Sequence, residues 1–345
     1  MEAFAWNREL TRPLDEVRTR EAGLNDKPDR GNGTVTLPEM RAAGVGICIA
    51  TQIGHSVAKE NPVPGWNSPE IAWAHTQAQL AWYRAMEERG EMRQIVDLAS
   101  LQSHVEMWSG PRDDSAAIGY VLSLEGADSI LTLDHLDVAY GYGLRALGPA
   151  HYSFGRYSPG TGEEGPLTSQ GRELVKRMGE LGIALDVTHL TDEAFVEALD
   201  LYDGPAVWAS HSNCRALVPH QRQLSDEQIR ALVQRGAVVG VAFDAWMMIP
   251  GWKRYETLPK DAGLKIAHIV DHIDHICQLA GNAEHVGIGS DLDGGYGNEQ
   301  TPEDLNSIAD LRGLIDLLSE RGFARSDIES ILHGNWVQLL QRAWG

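Results

Sequence analysis

The sequence predicts an α/β fold of the (β/α)8 TIM-barrel type, and two observations carry this prediction. Apolar, β-prone runs alternate with helical segments, and strands that are apolar throughout are typical of parallel sheets buried on both faces. Each run also ends at a residue that can bind metal or transfer protons: Glu125, His151, His189, His211, Asp244 and Asp291. Reactive groups at the C-terminal ends of parallel strands are the layout of a barrel enzyme. A glutamate, several histidines and an aspartate at one barrel mouth indicate metal-assisted hydrolysis.

Length and composition limit the class of protein. A chain of 345 residues with 43% hydrophobic residues can form one large barrel or two ordinary domains. We find no internal repeat or linker, so a single domain over residues 1–345 is predicted. The formal net charge of −20 argues against nucleic acid and anionic lipid as partners.

The sequence also favours a cytoplasmic location. No run of 18 apolar residues predicts a membrane span, and the first residues lack the basic start and apolar core of a secretory signal. The three cysteines, Cys48, Cys214 and Cys277, are odd in number and widely spaced, which is typical of reduced thiols. Cys214 follows His211 by three residues, but no separate Cys–His signature supports a catalytic thiol.

Seven strands can be predicted, one fewer than a closed barrel of this kind needs. They lie near residues 45–50, 118–124, 144–149, 183–188, 205–210, 238–243 and 286–290. The eighth should precede residue 45, yet residues 1–36 contain no apolar strand run. We therefore expect that the first barrel strand is missing from this chain.

Helices are predicted between these strands from capping signals and apolar periodicity. Ser68-Pro69-Glu70 is one such start, with a capping hydroxyl, a proline in the first turn and an acid favoured by the helix dipole. The predicted helices cover Leu37–Ala43, Pro69–Gly90, Met92–Met107, Thr168–Leu181, Thr191–Leu201, Ser225–Arg235, Leu264–Leu279, Pro302–Gly322 and Asp327–Ala343. The stretch Tyr152–Pro166, rich in Gly, Ser and Pro, is predicted as a long loop on the active face.

The predicted metal ligands are Glu125, His189 and His211. A carboxylate directly after an apolar strand costs free energy unless it is paired or bound to metal, although a strand-end acid can also cap the next helix. A lone histidine after a strand is more often structural, but two on successive strands are a stronger signal. Neighbouring strands lie about 4.8 Å apart, so their end residues can share one cation. Imidazole nitrogen and carboxylate oxygen are normal zinc ligands.

Two further residues are candidates for the chemistry. Asp291 and Asp293 share a face if the strand continues, so one could be the general base and the other an anchor for the loop. The strand before them favours Asp291 as the inward group and therefore as the base. The alternative is an ordinary turn. Arg222 lies in the loop after the His211 strand, where its planar fork can bind a substrate carboxylate or simply face solvent.

Three more histidines, His268, His272 and His275, lie on one predicted helix. His268 and His272 are four residues apart and could share a cation. A zincin helix needs a glutamate after its first histidine, however, and Ile269 stands there. We predict a solvated helix face rather than a metal site.

At these residues the chain resembles the membrane (renal-type) dipeptidase family, the zinc dipeptidases of the amidohydrolase-like barrel group (peptidase family M19). The matching motifs are Leu124–Gly126, Gly171–Val175, Asp186–His189, Ser210–Ser212 and Gly287–Gly294, and the similarity runs from residue 37 to residue 336. The resemblance implies that the residue at Glu125 bridges two zinc ions and that those at His189 and His211 complete the second metal site. It also implies that Asp291 handles the proton of the water, His151 contacts substrate near the scissile carbonyl, and Arg222 holds the C-terminal carboxylate.

One departure affects the metal content. The family begins with a strand ending in His-x-Asp, whose side chains bind the first zinc, whereas the first histidine here is His55. Either the start codon is placed too late or the protein lacks the first metal site. The sequence is therefore compatible with one bound zinc ion or with two.

The expected function is zinc-dependent hydrolysis of a dipeptide with a free C-terminal carboxylate. Two alternatives are another amidohydrolase-type activity, on a cyclic amide, lactone or N-acyl amino acid, and a metal-poor, non-catalytic binding barrel. The expected partner is a small-molecule dipeptide substrate. We expect no binding to nucleic acid or to a membrane, and the sequence leaves open whether the protein forms a homodimer.

Overall fold

A computed structural model describes residues 4, 6–57, 65–111 and 113–345 as a curled, parallel sheet surrounded by helices. Seven strands follow each other around the sheet in the order β1-β3-β4-β5-β6-β7-β8, and the short β2 pairs with the start of β3. The strands are β1 (Ile47–Ile53), β2 (Met92–Gln94), β3 (Ile118–Glu125), β4 (Leu144–Gly148), β5 (Ala184–Asp186), β6 (Val207–Ala209), β7 (Val238–Val241) and β8 (Val286–Ile288). The predicted TIM-type barrel architecture is confirmed.

Most of the helices lie between successive strands, as the alternating pattern predicts, and the others precede β1 or follow β8. They are α1 (Leu14–Glu21), α2 (Leu37–Ala43), α3 (Pro69–Glu88), α4 (Leu98–Ser109), α5 (Leu133–Gly141), α6 (Ser169–Leu181), α7 (Asp192–Leu201), α8 (Asp226–Gln234), α9 (Ala245–Met248), α10 (Pro259–Ala262), α11 (Ala267–Ala280), α12 (Leu314–Arg321), α13 (Arg325–Glu329) and α14 (Asn335–Trp344). Side-chain caps fix several starts: Ser68 accepts the backbone N–H of Ile71 at α3, and Thr191 accepts that of Ala194 at α7.

The sheet is apolar on both faces, which is why its strands read as continuous hydrophobic runs. One large core cluster packs the sheet against the surrounding helices. A smaller cluster on the opposite face contains alternate strand residues such as Val121, Trp208 and Val238, together with Leu339 and Leu340 of α14. Glu125 is four residues beyond Val121 on β3, so the period of two places it on this inner face.

β8 and β1 are the two edges of the sheet, and no pairing joins them among the residues that the structure describes. Beside β8 lies the polar segment that precedes α2. Asp293 accepts hydrogen bonds from the backbone N–H and the hydroxyl of Thr34, both at 2.7 Å, and from the backbone N–H of Val35 at 3.2 Å. Its other neighbour is the buried guanidinium of Arg8, which also binds Glu21 and Asp29. This ionic network attaches the N-terminal segment to the turn after β8.

Two helix predictions were wrong in detail. The predicted helix Met92–Met107 begins six residues later, at Leu98, because Met92–Gln94 pairs with β3 as a strand and Asp97 caps the helix. The predicted helix Pro302–Gly322 contains a 3-10 segment, Ile308–Gly313, before α12.

The predicted solvated histidine face of α11 also needs correction. His272 is 1% exposed; its Nδ1 accepts the backbone N–H of Cys214 and its Nε2 bonds the carbonyl of Met248. It is a structural core histidine that joins α11 to the loop after β6. Cys214 is buried in the same contact, and the three cysteines are free thiols. Within the described ranges, no helix combines the length and apolar character that crossing a membrane requires.

Candidate metal centre

Seven neighbouring strands each lead to an ionisable residue at the same rim of the sheet. In spatial order these residues are His55 after β1, Glu125 at the end of β3, His151 after β4, His189 after β5, His211 after β6, Asp244 after β7 and Asp291 after β8. Sequence reasoning assigned no role to His55, although it follows an apolar strand just as the other histidines do. The parallel order of the strands explains why groups so distant in the sequence meet.

Glu125, His189 and His211 place three ligand atoms in a nearly equilateral triangle. The Nε2 atoms of both histidines lie 3.2 Å from Oε1 of Glu125, and 3.3 Å from each other. Tetrahedral ligands at zinc distances of about 2.0–2.1 Å lie roughly 3.3–3.4 Å apart. The donor set and its spacing therefore fit one divalent cation of the zinc type.

Hydroxyl groups orient both histidines for this role. Nδ1 of His189 bonds the hydroxyl of Thr161 at 2.8 Å, and Nδ1 of His211 bonds the hydroxyl of Ser210, also at 2.8 Å. With the proton on Nδ1, each ring presents an Nε2 lone pair to the centre of the triangle. Partners that hold the far ring nitrogen are the usual support of metal-binding histidines.

The charges of Glu125 and His189 match the form in which metals bind, whereas at His211 the charges of Asp291 and Glu125 outweigh burial and raise the pKa of the imidazole. Burial opposes ionisation of Glu125, but its contacts with the surrounding histidines, His151, His189 and His211, hold the pKa of its carboxyl well below the usual value. Burial and the charge of Arg222 hold the pKa of His189 well below its usual value. An ionised carboxylate and a neutral imidazole are the forms that bind metal.

His151 lies beside this triangle, with Nε2 3.7 Å from Oε1 of Glu125. Burial, supported by the charges of His55 and Arg222, lowers the pKa of His151 to about 3 against the attraction of Glu125. The imidazole is therefore neutral at neutral pH and carries one N–H. A neutral histidine with one N–H can donate a hydrogen bond to an oxygen that gains negative charge.

Asp291 follows β8 in a turn with positive φ at both Asp291 and Asp293, 55° and 60°. A Cβ at position 294 would overlap the Asp291 carboxylate, so Gly294 is required for this turn. Burial raises the pKa of Asp291 to about 6; the charge of Glu125 adds to the rise, while those of His211 and Arg222 oppose it. A carboxyl with a pKa near 6 suits proton transfer at neutral pH.

Arg222 is buried rather than at the surface. Its Nη1 donates to the hydroxyl of Ser212 at 3.0 Å, and its Nη2 donates to the carbonyl of His211 at 2.8 Å. Its Nε–H is buried and has no acceptor among the described residues. A fixed guanidinium with an unsatisfied donor beside the histidine cluster can bind an anionic group of a ligand.

Asp244 adds a second buried carboxyl to the rim, to which sequence reasoning gave no role. It accepts hydrogen bonds from Nε2 of Gln300 at 2.7 Å and Nε1 of Trp246 at 2.8 Å. Burial, together with the charge of Asp291, raises the pKa of Asp244 to about 7. The pair of carboxyls places negative potential on the side of the rim formed by β7 and β8.

The first prediction concerns metal content. Glu125→Gln removes the negative charge and should reduce the metal bound per chain to a small fraction, because two neutral imidazoles alone hold a divalent cation weakly. Metal analysis of purified protein by mass spectrometry measures this. His333→Ala, which removes an exposed histidine, serves as the control and should retain the metal. Full metal content in the Gln variant would exclude this triangle as the metal site.

The second prediction concerns stability and Asp244. Folding raises the pKa of the Asp244 carboxyl from 3.8 to about 7. The free energy of unfolding of the protein therefore decreases as the pH increases between those two values. Asp244→Asn should therefore raise the free energy of unfolding at pH 8, by on the order of 2–4 kcal/mol, and much less at pH 4. Denaturant titrations at both pH values test it; an equal effect at both would contradict the expectation.

Comparisons with known proteins agree with this geometry. A family model described as membrane dipeptidase (peptidase family M19) matches residues 17–344. An uncharacterised protein from the pqqA 5′ region of Klebsiella pneumoniae is 33% identical, over 61% of this chain and 76% of its own length. The dipeptidase tcpJ of Claviceps purpurea is 28% identical, over 65% of this chain. The match spans about half of that fungal protein, 51% of its length.

Solved structures show the same fold. The metallopeptidase dipeptidase AC, of family M19, superimposes with a TM-score of 0.77 at 27% identity, covering 98% of this chain and 97% of its own. A metallopeptidase of Rhodobacter sphaeroides, solved with a phosphinate mimic of L-Ala-D-Ala, has a TM-score of 0.73 at 24% identity, with the same coverage. The latter supports the fold alone. With the family match over nearly its whole length, this chain belongs to the membrane dipeptidase family, peptidase family M19, and is a metal-dependent hydrolase.

Proposed function

We propose that this protein is a zinc-dependent dipeptidase that hydrolyses dipeptides with a free C-terminal carboxylate. The observation that carries the proposal is the triangle of Glu125, His189 and His211, flanked by a candidate base and a buried guanidinium. The dipeptidase names of the fungal relative and of the first structural neighbour support the substrate class. A bound zinc ion would supply Lewis acidity, which polarises a carbonyl and lowers the pKa of a water.

The remaining chemistry is assigned to the protein's own side chains. Asp291 accepts the proton of the attacking water and returns it to the leaving amine. With a pKa of about 6 it is mostly ionised at neutral pH, yet basic enough to take up the proton. His151 donates its remaining N–H to the developing oxyanion.

Arg222 is proposed to hold the substrate's carboxylate. The Ser212 hydroxyl and the His211 carbonyl accept hydrogen bonds from its two Nη atoms. Its Nε–H has no acceptor among the described residues, so a substrate carboxylate could accept a hydrogen bond from it. Because Arg222 is anchored to the metal-ligand strand through His211, a carboxylate bound there lies at a set distance from the cation. Such an anchor orients a short substrate and excludes peptides whose C-terminus is blocked. A cytoplasmic location and a homodimer stay predictions.

A third prediction tests the base. Asp291→Asn keeps the shape of the side chain but cannot accept the water's proton, so kcat for a dipeptide should fall by about 10²- to 10⁴-fold. Metal content should stay unchanged, since Asp291 is not one of the three ligands. Steady-state kinetics and metal analysis on the same preparation measure both. Turnover within a few-fold of the wild type would remove Asp291 from the mechanism.

A fourth prediction tests Arg222. Arg222→Lys keeps the charge but loses the planar fork, and should lower kcat/KM for a dipeptide by about 10- to 100-fold. The same dipeptide with an amidated C-terminus is the matched substrate: it should be poor for the wild type and little affected by the substitution. If the wild type hydrolyses both equally well, or prefers an N-acyl amino acid, cyclic amide or lactone, another amidohydrolase activity replaces the one proposed.

A further inference from the structure

Asp244 is a buried carboxyl that has no cationic side chain within ion-pair distance in the part of the chain that the structure describes. It is 7% exposed, and its oxygens accept hydrogen bonds from two neutral groups, Oδ1 from Nε2 of Gln300 and Oδ2 from Nε1 of Trp246. A carboxylate offers about four acceptor positions, so each oxygen can accept a further hydrogen bond. A buried charge without a counter-charge costs free energy, and a cationic ligand would supply the missing partner.

The ordinary structural roles of an aspartate do not account for this carboxyl. Asp244 stands at the N-cap position of α9, but its side chain makes no capping hydrogen bond to that helix. Burial and the charge of Asp291 raise the pKa of Asp244, and the charge of Arg254 opposes them. Arg254 nevertheless donates its hydrogen bond to the carbonyl of Gly295. The carboxyl is therefore held in place without being neutralised.

Asp244 lies level with the proposed base at the barrel mouth. β7 and β8 are neighbouring parallel strands, and beyond them the backbone N–H of Phe243 donates to the carbonyl of Ser290 at 3.0 Å. The next residues, Asp244 and Asp291, therefore stand side by side on the rim. On its other side β7 pairs with β6, which leads to the metal ligand His211. Asp244 is thus about one strand spacing, about 4.8 Å, from each of these strands.

A second buried group shows that the hydrogen bonding at this corner of the rim is incomplete. Tyr296 is 1% exposed, and its hydroxyl has no hydrogen-bond partner among the residues that are described. Burial, together with the charges of Asp291 and Asp244, raises the pKa of this hydroxyl well above its usual value. The hydroxyl therefore lies in the field of both carboxyls without bonding to either. A ligand with several N–H donors could bond a carboxylate oxygen and a phenolic oxygen together.

We propose that Asp244 forms the subsite for the N-terminal ammonium group of the substrate. The inference rests on the proposed function and deepens it: Arg222 binds the carboxylate end of the dipeptide, and Asp244 binds its amino end. An extended dipeptide is about 7 Å long, which is comparable with the spacing of one or two strands along the rim.

An ammonium subsite would decide which peptides are substrates. In a longer peptide the nitrogen of the penultimate residue is an uncharged amide, which cannot replace an ammonium group beside a buried carboxylate. The same subsite disfavours N-acyl amino acids, which have no ammonium group. It therefore favours free dipeptides over both classes.

Two substrates that differ only in the ammonium group test the subsite. Alanyl-alanine carries this group, in the L,L or L,D form that is hydrolysed faster, and propionyl-alanine of the same configuration has a hydrogen in its place. Asp244→Asn keeps the shape of the side chain, and the Gln300 amide can rotate to keep its hydrogen bond. We expect kcat/KM for alanyl-alanine to fall by about 10- to 100-fold, as for the loss of a charged hydrogen bond. For propionyl-alanine it should change by less than about threefold.

The comparison of both proteins on each substrate also removes an effect of the substrate itself. The ammonium group makes the neighbouring carbonyl more electrophilic, and this effect is the same for the wild type and for Asp244→Asn. The control variant is Asp274→Asn. Asp274 is also an aspartate, but it lies on α11 beside Arg321, and its substitution should leave kcat/KM for both substrates unchanged.

Calorimetry provides a readout that does not depend on turnover. The probes are the phosphinate analogue of alanyl-alanine, in which the scissile amide is replaced, and the same compound without its amino group. In metal-loaded protein, Asp244→Asn should increase the Kd of the first probe by about 10- to 100-fold and that of the second by less than about threefold.

The outcomes separate the subsite from the proposed function. If Asp244→Asn treats both probes as the wild type does, or loses affinity for both equally, Asp244 does not recognise the ammonium group and the proposal fails. Dipeptide hydrolysis that continues in that case would leave the proposed function intact. Binding that depends on both the amino group and Asp244, without hydrolysis of any dipeptide, would support the subsite and reject the proposed function alone.

Discussion

The convergence of three lone-pair donors on one point governs the architecture of the rim. A carboxylate oxygen and two imidazole nitrogens at 3.2–3.3 Å from one another repel unless a cation or a shared proton lies between them. The protein holds them there because each side chain ends or follows a strand of a rigid parallel sheet, and because Thr161 and Ser210 occupy the far ring nitrogens. The free energy of holding like groups together is offset when metal binds, which couples metal affinity to the stability of this end of the barrel.

The electrostatics of the pocket differ from those of the whole chain. The net charge of −20 counts all ionisable groups of the chain, while the inner rim combines the cationic Arg222 with the buried carboxyls of Asp244 and Asp291. The dipeptide proposed as substrate is a zwitterion, and groups of both signs at one site can pair with its two charged ends. The charge of the whole chain therefore differs from the charge at the rim, where Arg222, Asp244 and Asp291 determine the local potential.

Much of the fold could be predicted from the sequence, because parallel strands buried on both faces leave an unmistakable hydrophobic pattern. The proximity of Glu125, His189 and His211 also follows from their positions at strand ends. The helix start at Leu98 could not be predicted, since the three-residue strand Met92–Gln94 is defined only by its pairing with β3. The same limit applies to His55: its strand-end position is visible, but its bond to His151 requires two side chains to cross above Gly126. The unsatisfied donor of Arg222 likewise depends on the loop that places it.

The open side of the sheet affects how Asp291, the proposed base, is held in place. Asp291 follows β8, an edge strand with no described partner on its outer side, so the sheet alone supports it less than it supports the ligands on β3, β5 and β6. Its turn also contains two non-glycine residues with positive φ, each a conformation that costs on the order of 1 kcal/mol. Asp293 offsets that cost through its bonds to Thr34 and Val35 and its contact with Arg8. The N-terminal segment therefore replaces part of the support that a neighbouring strand would give. It holds the turn with Asp291, the proposed base, against the rim, and we expect substitutions at Arg8 or Thr34 to affect Asp291 indirectly.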